Sequence, residues 1–253
     1  MKNILLPTDF SENAENAIKY AVQLYKDEKC NFILLNTYTP IIYQVEHLQA
    51  SSPQLQVLEI VKETSNRKLN ESIEAIETEF NNPNHSFTQI SAFNTLTAEI
   101  DELFEGNVMD LIVMGTKGAS GLKEVLFGSN TVHVLKNTKC PVIAIPSGFS
   151  FETPHEILFP TDYEIDYQKK HVQSILDIST MYNARVNVLH VLYGNDLSDT
   201  QDYNRKKLET FFTEIACLFH HVKNENITEA ITKFQLKARI NLLVMINNKH
   251  SFF

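Results

Sequence analysis

Short apolar runs alternate along the chain with longer segments in which apolar residues recur every three to four positions. The runs have the length of β-strands, and the recurring pattern is typical of helices with one buried face. In the first half the runs predict strands at residues 2–7, 31–38, 86–93, 109–115 and 140–146. The intervening segments predict helices at residues 12–29, from 53 onward, 95–107 and 129–137. This alternation favours βαβ units and a parallel sheet.

Two of these helices carry local signals at their starts. Ser11 is suited to capping the first helix, and Pro53 is suited to the first turn of the long second helix. The second helix has apolar residues at helical spacing, which predict one buried face: Leu58, Val61, Leu69, Ile73, Ile76 and Phe80.

The chain contains an internal repeat. Residues 4–10 read ILLPTDF and residues 157–163 read ILFPTDY, an offset of 153 positions. Two later apolar runs match in the same order: residues 32–36 with 186–190, and residues 110–114 with 241–245. Three matches in one order predict a tandem duplication.

The duplication predicts two domains, residues 1–147 and 154–253, separated by turn-forming residues at 146–154. The expected fold is two tandem open α/β domains of the Rossmann-like kind, each built on a parallel five-stranded sheet. The second copy has no counterpart of the last helix and fifth strand, so we expect it to be incomplete at its C-terminus. An open sheet edge of this kind needs to be covered.

Composition narrows the class of protein. The chain has 253 residues, 43% hydrophobic and 21% charged, with 22 Lys+Arg against 31 Asp+Glu. This balance is typical of a soluble globular protein and argues against nucleic-acid binding. The longest apolar run, residues 242–246, is far too short to span a membrane, and the N-terminus lacks a signal-peptide pattern, so we expect a cytoplasmic protein. Cys30, Cys140 and Cys217 have no C-x-x-C spacing and are expected to be buried thiols.

Four of the seven glycines lie in one window of 14 residues, from Gly115 to Gly128. The window begins where a predicted strand ends, the sheet edge at which open α/β proteins bind ligands. Glycines there let backbone N–H groups approach an anion, and the helix after Gly128 offers its N-terminus to phosphate. Ser129 can cap that helix or bond a phosphate. Between residues 115 and 139 the sequence has four lysines and one glutamate, a local excess of positive charge that favours an anion. The alternative is that the glycines only form an ordinary turn.

A second polar segment, residues 7–11, lies after the first predicted strand at the same sheet edge. The carboxylate of Asp9 can accept hydrogen bonds from ribose hydroxyls or help to hold a metal ion. The alternative is a strand-to-helix turn in which Asp9 and Ser11 only cap. Its repetition at residues 160–162 supports that alternative, because the second copy keeps the turn and loses the glycines.

Together these residues closely resemble the universal stress protein family, in its tandem two-domain arrangement. Nucleotide-binding members carry G-x2-G-x9-G-[ST], which is present here as Gly115, Gly118, Gly128 and Ser129. The resemblance implies ATP, ADP or AMP with adenine near residues 36–38, ribose on Asp9 and Gly115, and phosphates along residues 117–120 and 128–130. Mg²⁺ would come with the phosphates, with Asp9 as a candidate ligand. The implied nucleotide-binding residues are Pro7, Thr8, Asp9, Asn36, Thr37, Met114, Gly115, Thr116, Lys117, Gly118, Ala119, Ser120, Gly128, Ser129 and Asn130.

The second copy departs from this motif. Aligning Met245 with Met114 places Ile246 at the position of Gly115. We therefore expect one nucleotide site per chain, with a structural or dimerising second domain. Since the fold is repeated without the glycines, we also expect them to serve the ligand rather than the architecture.

Three functions are compatible with the sequence. The resemblance favours an adenine-nucleotide-binding regulatory protein of the stress response, dimeric as most of the family is. A slow ATPase or nucleotidyl transferase on the same fold is the second, and a nucleotide-free dimeric scaffold is the third. No histidine pair has zinc-binding spacing, no catalytic triad is supported and no catalytic residues are predicted, so a binding protein is favoured over an enzyme.

Overall fold

A computed structural model describes residues 1–39, 52–116, 128–194, 196–223 and 225–246. The chain divides into two compact units, Met1–Phe151 and Glu152–Phe253. The division falls within the turn-rich segment 146–154. Each unit is built on its own parallel sheet, of five strands in the first and four in the second. The predicted fold class, two tandem α/β domains with a smaller second sheet, is confirmed.

The first unit alternates strands and helices throughout its described residues. Its elements are β1 Lys2–Pro7, α1 Glu12–Leu24, β2 Cys30–Thr37, α2 Ser52–Phe80, β3 His85–Ala92, α3 Leu96–Glu105, β4 Leu111–Gly115, α4 Ser129–Asn137 and β5 Val142–Ile145. The strand order is β3-β2-β1-β4-β5, and every pair is parallel. All five predicted strands are present, and α4 has the predicted bounds.

Helix α1 shows how local sequence sets an element's start. The Ser11 side chain accepts a hydrogen bond from the backbone N–H of Ala14 at 3.3 Å, which satisfies one of the donors left open at a helix start. Glu12 and Glu15 lie in the first turn, where the helix dipole favours negative charge. The helix ends at Leu24 rather than at the predicted residue 29, because the chain turns back at Tyr25, whose carbonyl accepts from the N–H of Glu28 at 3.0 Å.

The long helix α2 packs the predicted face against the sheet. Leu69 and Ile76 are 0% and 2% exposed, and the other apolar residues of that face are half-buried. One polar residue, Ser65, lies on the same face and is 4% exposed. A buried hydroxyl needs a hydrogen-bond partner, so Ser65 marks a place where α2 meets polar groups of the sheet.

The central strands are apolar on both faces, as expected when helices cover both sides of a parallel sheet. Leu5 of β1, Ile33 of β2 and Ile112 of β4 belong to one cluster with Ile100 of α3 and Val134 of α4. The three strand residues are at most 3% exposed. This packing holds the carboxyl ends of β1, β2 and β4 at one edge.

The second unit repeats this order with fewer elements. These are β6 Glu156–Pro160, α5 Lys169–Tyr182, β7 Arg185–Leu192, α6 Asp199–Phe211, β8 Cys217–Lys223, α7 Ile227–Ala238 and β9 Leu242–Leu243. The order is β8-β7-β6-β9. Among the described residues this sheet has no counterpart of β5, which agrees with the incomplete copy expected from the sequence.

Strand register supports the alignment of the two copies. Ile4 pairs with Leu111 in the first sheet, and the repeat-equivalent Ile157 pairs with Leu242 in the second. Counting along both strands places Ile246 at the position of Gly115. In the part of the chain that is described, no helix combines the length and apolarity needed to cross a membrane.

Candidate functional site

The candidate site lies where the order of strands in the first sheet reverses. From β1 the chain runs outward to β2 and β3, and then returns to place β4 on the other side of β1. At such a reversal the connections leave on opposite faces of the sheet, which opens a crevice at the carboxyl ends of the strands. The segment containing Asp9 comes directly after β1, and Gly115 ends β4, so the two predicted segments meet at this crevice.

The turn after β1 is held by its own side chains. The Thr8 Oγ1 accepts from the N–H of Phe10 at 3.0 Å, and the Asp9 Oδ1 accepts from the N–H of Ser11 at 3.1 Å. Phe10 has φ of 63°, in the left-handed region. Asp9 is exposed, so its carboxylate keeps lone pairs for a further donor such as a ribose hydroxyl.

The second copy has the same turn. Thr161 Oγ1 accepts from the N–H of Tyr163 at 3.1 Å, and Asp162 Oδ1 accepts from the N–H of Glu164 at 2.9 Å. Tyr163 has φ of 60°. Both units therefore use the aspartate to cap the turn, as the alternative interpretation of Asp9 expects. In each unit the turn uses one oxygen of the carboxylate.

Asn36, at the end of β2, is hydrogen-bonded on both sides of its amide. Its Nδ2 donates to the carbonyl oxygen of Thr8 at 2.8 Å, and its Oδ1 accepts from Ser65 Oγ at 2.8 Å. Thr37 is the last residue of β2 and is half-buried. The sequence-predicted residues at the ends of β1 and β2 are thus brought together, with Asn36 as the direct link.

A cleft of about 200 Å³ opens between this edge of the sheet and α2. Its described lining is Phe10, Asn36, Ile60, Val61, Thr64, Ser65 and Lys68. The Lys68 Nζ lies 5.1 Å from the centre of the Phe10 ring, a cation–π contact. The residues that α2 contributes belong to no motif in the sequence and were not among the predicted site residues. The available signal was Ser65, a polar residue between Val61 and Leu69 on an otherwise apolar helix face.

The end of β4 corrects one expectation about the glycines. A Cβ atom on Gly115 would lie 2.4 Å from Asn13 Nδ2 and 2.7 Å from the Asn13 carbonyl oxygen. Contacts this short are not tolerated, so α1 packs against β4 closely enough to require glycine at this position. The expectation that the architecture does not need these glycines is wrong at Gly115.

The connection after the first strand differs between the two units. Residues 8–11 join β1 to α1, whereas residues 161–168 join β6 to α5, so the second connection is twice as long. With the repeat offset of 153 positions, the residue equivalent to Asn13 is Asp166, which precedes α5 instead of lying in its first turn. The close approach that Asn13 makes to Gly115 depends on the early start of α1.

The residues on either side of Gly115 are buried. Met114 is 5% exposed and belongs to the core, so only its backbone can face a ligand. Thr116 is 0% exposed, and its N–H donates to the carbonyl of Ile145 at 2.8 Å. Its Oγ1 has no hydrogen-bond partner among the described residues. Pro7 is likewise buried, at the end of β1.

Helix α4 begins beside the end of β4. The Thr131 Oγ1 donates to the carbonyl oxygen of Gly115 at 3.1 Å, which ties the first turn of the helix to the strand. Gly128 is the N-cap, so the capping role considered for Ser129 is wrong. Ser129 and Asn130 are exposed in the first turn, where backbone N–H groups have no partner within the helix.

The remaining predicted residues, Lys117, Gly118, Ala119 and Ser120, lie outside the described residues, as do all positions from 117 to 127. Their assignment to phosphate stays a prediction. The described residues bring together at one edge the Asp9 turn, Asn36, Gly115 and the start of α4.

The first unit has relatives among known proteins. The model of the universal stress protein family matches residues 1–146, more than half of the chain. This chain belongs to the universal stress protein family. Two relatives from Methanocaldococcus jannaschii are universal stress proteins: MJ0577 is 30% identical over 158 residues, covering 57% of this chain and 94% of that protein. MJ0531 is 31% identical over 147 residues, covering 57% and 81%.

A solved structure extends the likeness in fold to both units of this universal stress protein. A universal stress protein from Archaeoglobus fulgidus DSM 4304 matches with a TM-score of 0.71, covering 96% of this chain and 86% of that chain. The sequences are 18% identical, so the match concerns the fold alone.

In the second unit of this universal stress protein, the side chains around the equivalent turn are different. Register places His190 at the position of Asn36, and its Nδ1 donates to the carbonyl oxygen of Thr161 at 2.8 Å. The Tyr163 ring packs 4.8 Å from the His190 ring, centre to centre. Tyr163 is 2% exposed, whereas the equivalent Phe10 is half-exposed beside the cleft.

Two further side chains close this region. Tyr167 is 1% exposed, its hydroxyl bonds Thr161 Oγ1, and burial raises its pKa to about 12. Asn204 of α6 donates to the carbonyl oxygen of Tyr163 at 2.8 Å. The copy that lacks the glycine motif therefore buries Tyr163 and Tyr167 beside this turn, whereas the first copy has the half-exposed Phe10 there.

The histidines and cysteines supply no alternative centre within the described residues, which contain no group of three His, Cys, Asp or Glu able to hold a metal ion. His220 donates from Nε2 to Asn187 Oδ1 at 3.0 Å. Burial, with the positive charges of Lys237 and Arg185, lowers the pKa of His220.

The three cysteines are free thiols. Cys30 and Cys140 are buried as expected, and Cys217 is half-buried. Burial raises the pKa of Cys30 to about 11 and the pKa of Cys140 and Cys217 to about 12. These thiols are poor nucleophiles near neutral pH.

Proposed function

We propose that the first unit of this universal stress protein binds an adenine nucleotide, ATP, ADP or AMP, and that occupancy of the site regulates its interactions in a stress response. The proposal rests on one observation: the Asp9 turn, Gly115 and the start of α4 meet where the strand order reverses. The G-x2-G-x9-G-S motif spans the same positions.

Each group has a role suited to its chemistry. The N–H groups of Ser129 and Asn130 at the start of α4 would bind phosphate oxygens, helped by the helix dipole. The exposed Asp9 carboxylate would accept from a ribose hydroxyl. Asn36 and the cleft beside it would receive the base, and Met114 would contribute its backbone only. Magnesium would be carried by the phosphates, with Asp9 as a candidate ligand.

We propose one site per chain, because the second copy has Ile246 at the position of Gly115 and buries Tyr163 at the position of the half-exposed Phe10. The second unit would then be structural or dimerising. A homodimer and a cytoplasmic location remain predictions from the sequence and the family resemblance. Light scattering of the purified chain tests the homodimer, and a monomer at micromolar concentration would contradict that prediction.

Thermal unfolding with and without nucleotide tests the central proposal. Protein freed of endogenous ligand is melted with magnesium and increasing ATP up to millimolar concentration. At a hundredfold excess over Kd, binding stabilises the folded state by about 2.7 kcal/mol, which is a readily measured rise in Tm. Gly118→Val should abolish the rise, and Gly106→Ala, which lies away from the site at the end of α3, should retain it. An unchanged Tm in the unmodified protein would refute the proposal.

We propose binding without turnover, because hydrolysis needs a positioned water and a base, and Asp9 is assigned here to ribose or magnesium. Release of phosphate or pyrophosphate that is lost in Asp9→Ala while ATP still binds would favour a slow ATPase or transferase instead. Mass spectrometry of the protein as purified distinguishes a nucleotide-binding protein or an enzyme from a scaffold, because a scaffold should carry no adenine nucleotide.

A further inference from the structure

A chain of hydrogen bonds connects α2 and β3 to the turn after β1. Ser91 Oγ, at the end of β3, lies 2.8 Å from Ser65 Oγ, and Ser65 Oγ lies 2.8 Å from Asn36 Oδ1. Asn36 Nδ2 lies 2.8 Å from the carbonyl oxygen of Thr8. We propose that Ser65 and Ser91 are positioning residues for base recognition, acting through Asn36. This inference rests on the proposed nucleotide site.

The direction of each bond is fixed by the last acceptor. The Thr8 carbonyl oxygen can only accept, so the NH2 group of Asn36 must face it and the Oδ1 must face Ser65. Ser65 therefore donates to Asn36 and accepts from Ser91. Turning the amide of Asn36 over would place its Oδ1 against the Thr8 carbonyl oxygen and lose that hydrogen bond, and the Ser65 hydroxyl would have to reverse from donor to acceptor.

A locked amide gives the cleft a fixed pattern of donor and acceptor. One N–H of Asn36 is committed to Thr8, and the amide keeps a second N–H and a second lone pair on Oδ1. An asparagine amide in this state can pair with the amino group and an adjacent ring nitrogen of adenine. For a base held in this pose by its ribose and phosphates, guanine would place a carbonyl oxygen against the amide Oδ1 in place of that amino group, so the fixed amide favours adenine.

The surroundings of Asn36 place this pattern where a base can reach it. Asn36 lines the cleft together with Phe10, and Asp9, the group assigned to ribose, precedes Phe10 in the same turn. Ser65 is 4% exposed, so water competes little for its hydroxyl. The donor to Asn36 is thus shielded from water, while the amide it contacts borders the cleft.

The second unit provides an internal contrast. His190 keeps the bond to the carbonyl oxygen of Thr161 but has no amide, and α6 uses Asn204 to bond the backbone of Tyr163 instead. The second copy therefore retains the hydrogen bond between the ends of its first two strands, but it has no amide at this position to orient. This difference indicates that the serine relay serves recognition more than folding.

Three substitutions test the relay in the full chain. Ser65→Ala removes the donor to Asn36, and Ser91→Ala removes the donor that fixes the Ser65 hydroxyl. Asn36→His copies the second unit, keeping a donor to Thr8 and removing the amide. Ser72→Ala is the matched control, because its hydroxyl lies on the same helix and donates to the backbone carbonyl of Lys68 at 2.9 Å. Titration calorimetry gives Kd for ATP and for GTP, and thermal melting without ligand reports folding.

We expect the unmodified protein to bind ATP more tightly than GTP. Ser65→Ala should weaken ATP binding by about five- to tenfold, the usual scale for one buried hydrogen bond, and reduce the preference for ATP. Ser91→Ala should act in the same direction with a smaller effect. Asn36→His should remove the preference while remaining folded, and Ser72→Ala should change neither Kd.

The outcomes separate this inference from the proposed function. If the unmodified protein binds no nucleotide, the proposed function fails and the relay has no ligand to position. If it binds ATP and GTP equally, or if Ser65→Ala, Ser91→Ala and Asn36→His keep the original ratio of the two Kd values, the nucleotide site stands and the relay is refuted. A change in melting temperature without a change in that ratio would also refute it, since a purely structural bond affects both nucleotides alike.

Discussion

Gly115 carries two interpretations that a single substitution can separate. Its position in the nucleotide motif suggests that it leaves room for a ligand. Its packing shows that a Cβ would lie 2.4 Å from Asn13 Nδ2, 2.8 Å from Asn13 Cγ and 2.7 Å from the Asn13 carbonyl oxygen. Gly115→Ala should therefore destabilise the protein when no nucleotide is present.

The magnitude depends on which atoms must move. The Asn13 side chain can rotate, but its carbonyl oxygen belongs to the first turn of α1 and moves only with the helix. Forcing one methyl group into a packed site costs about 1–3 kcal/mol. In a unit of this size each kcal/mol lowers Tm by about 2–4 °C, so the expected fall is about 2–12 °C.

Scanning calorimetry of the nucleotide-free protein measures this fall and can report the two units as separate transitions. Gly106→Ala is the matched control. A Cβ there would lie no closer than 3.3 Å to any neighbouring atom, and φ is −73°, which suits any residue. We expect the control to change stability by less than about 0.5 kcal/mol.

A second substitution identifies the source of the strain. In the Gly115→Ala background, Asn13→Ala removes two of the three close atoms and leaves the carbonyl oxygen, so part of the lost stability should return. If Gly115→Ala leaves the nucleotide-free Tm unchanged and only abolishes the response to ATP, the packing argument is wrong and the glycine serves the ligand alone.

Three further predictions concern other parts of the chain. Ser11→Ala removes the cap of α1 and should lower the free energy of unfolding, measured with urea, by about 1 kcal/mol. An unchanged urea midpoint would show that the cap does not contribute to stability. The pKa of His220 is lowered from 6.5, so below this pH the unfolded chain binds more protons than the folded one; Tm should fall as pH drops through about 6.5 toward the lowered pKa, and His220→Gln should flatten this slope. Cys30, Cys140 and Cys217, with pKa values raised to about 11 or 12, should react slowly with iodoacetamide near pH 8 until the protein is unfolded, and rapid labelling of the native chain would contradict their burial.

The sequence predicted those features that depend on local pattern and on repetition. Apolar runs located all five strands of the first sheet, and the glycine before Ser129 correctly indicated the start of α4. Matching segments identified the duplication, and strand register agrees with pairing Gly115 and Ile246. The strands and the helix start were accessible because they depend on residues close together in the chain, and the duplication was accessible because its segments match residue by residue.

Contacts between distant segments could not be obtained in the same way. The approach of Asn13 to Gly115 depends on where α1 starts and how closely it lies on β4, which no periodicity encodes. The link between Ser65 and Asn36 joins residues 29 positions apart and needs the rotation of α2 about its axis. Only the polarity of Ser65 on an apolar face hinted that the helix meets something there.

The two copies surround the same turn with different side chains. Both copies keep the Thr-Asp turn, the left-handed residue after it and a donor from the second strand to the Thr carbonyl. They differ in the side chains around this turn: in the second copy a longer connection brings Tyr167 inward and Tyr163 packs on a histidine, whereas in the first copy Phe10 borders open space. Burying two tyrosines gains hydrophobic stabilisation that the first copy forgoes. The first copy instead keeps the half-exposed Phe10 and the cleft beside the hydrogen bond between Ser65 and Asn36, and the turn shared by both copies does not account for that difference.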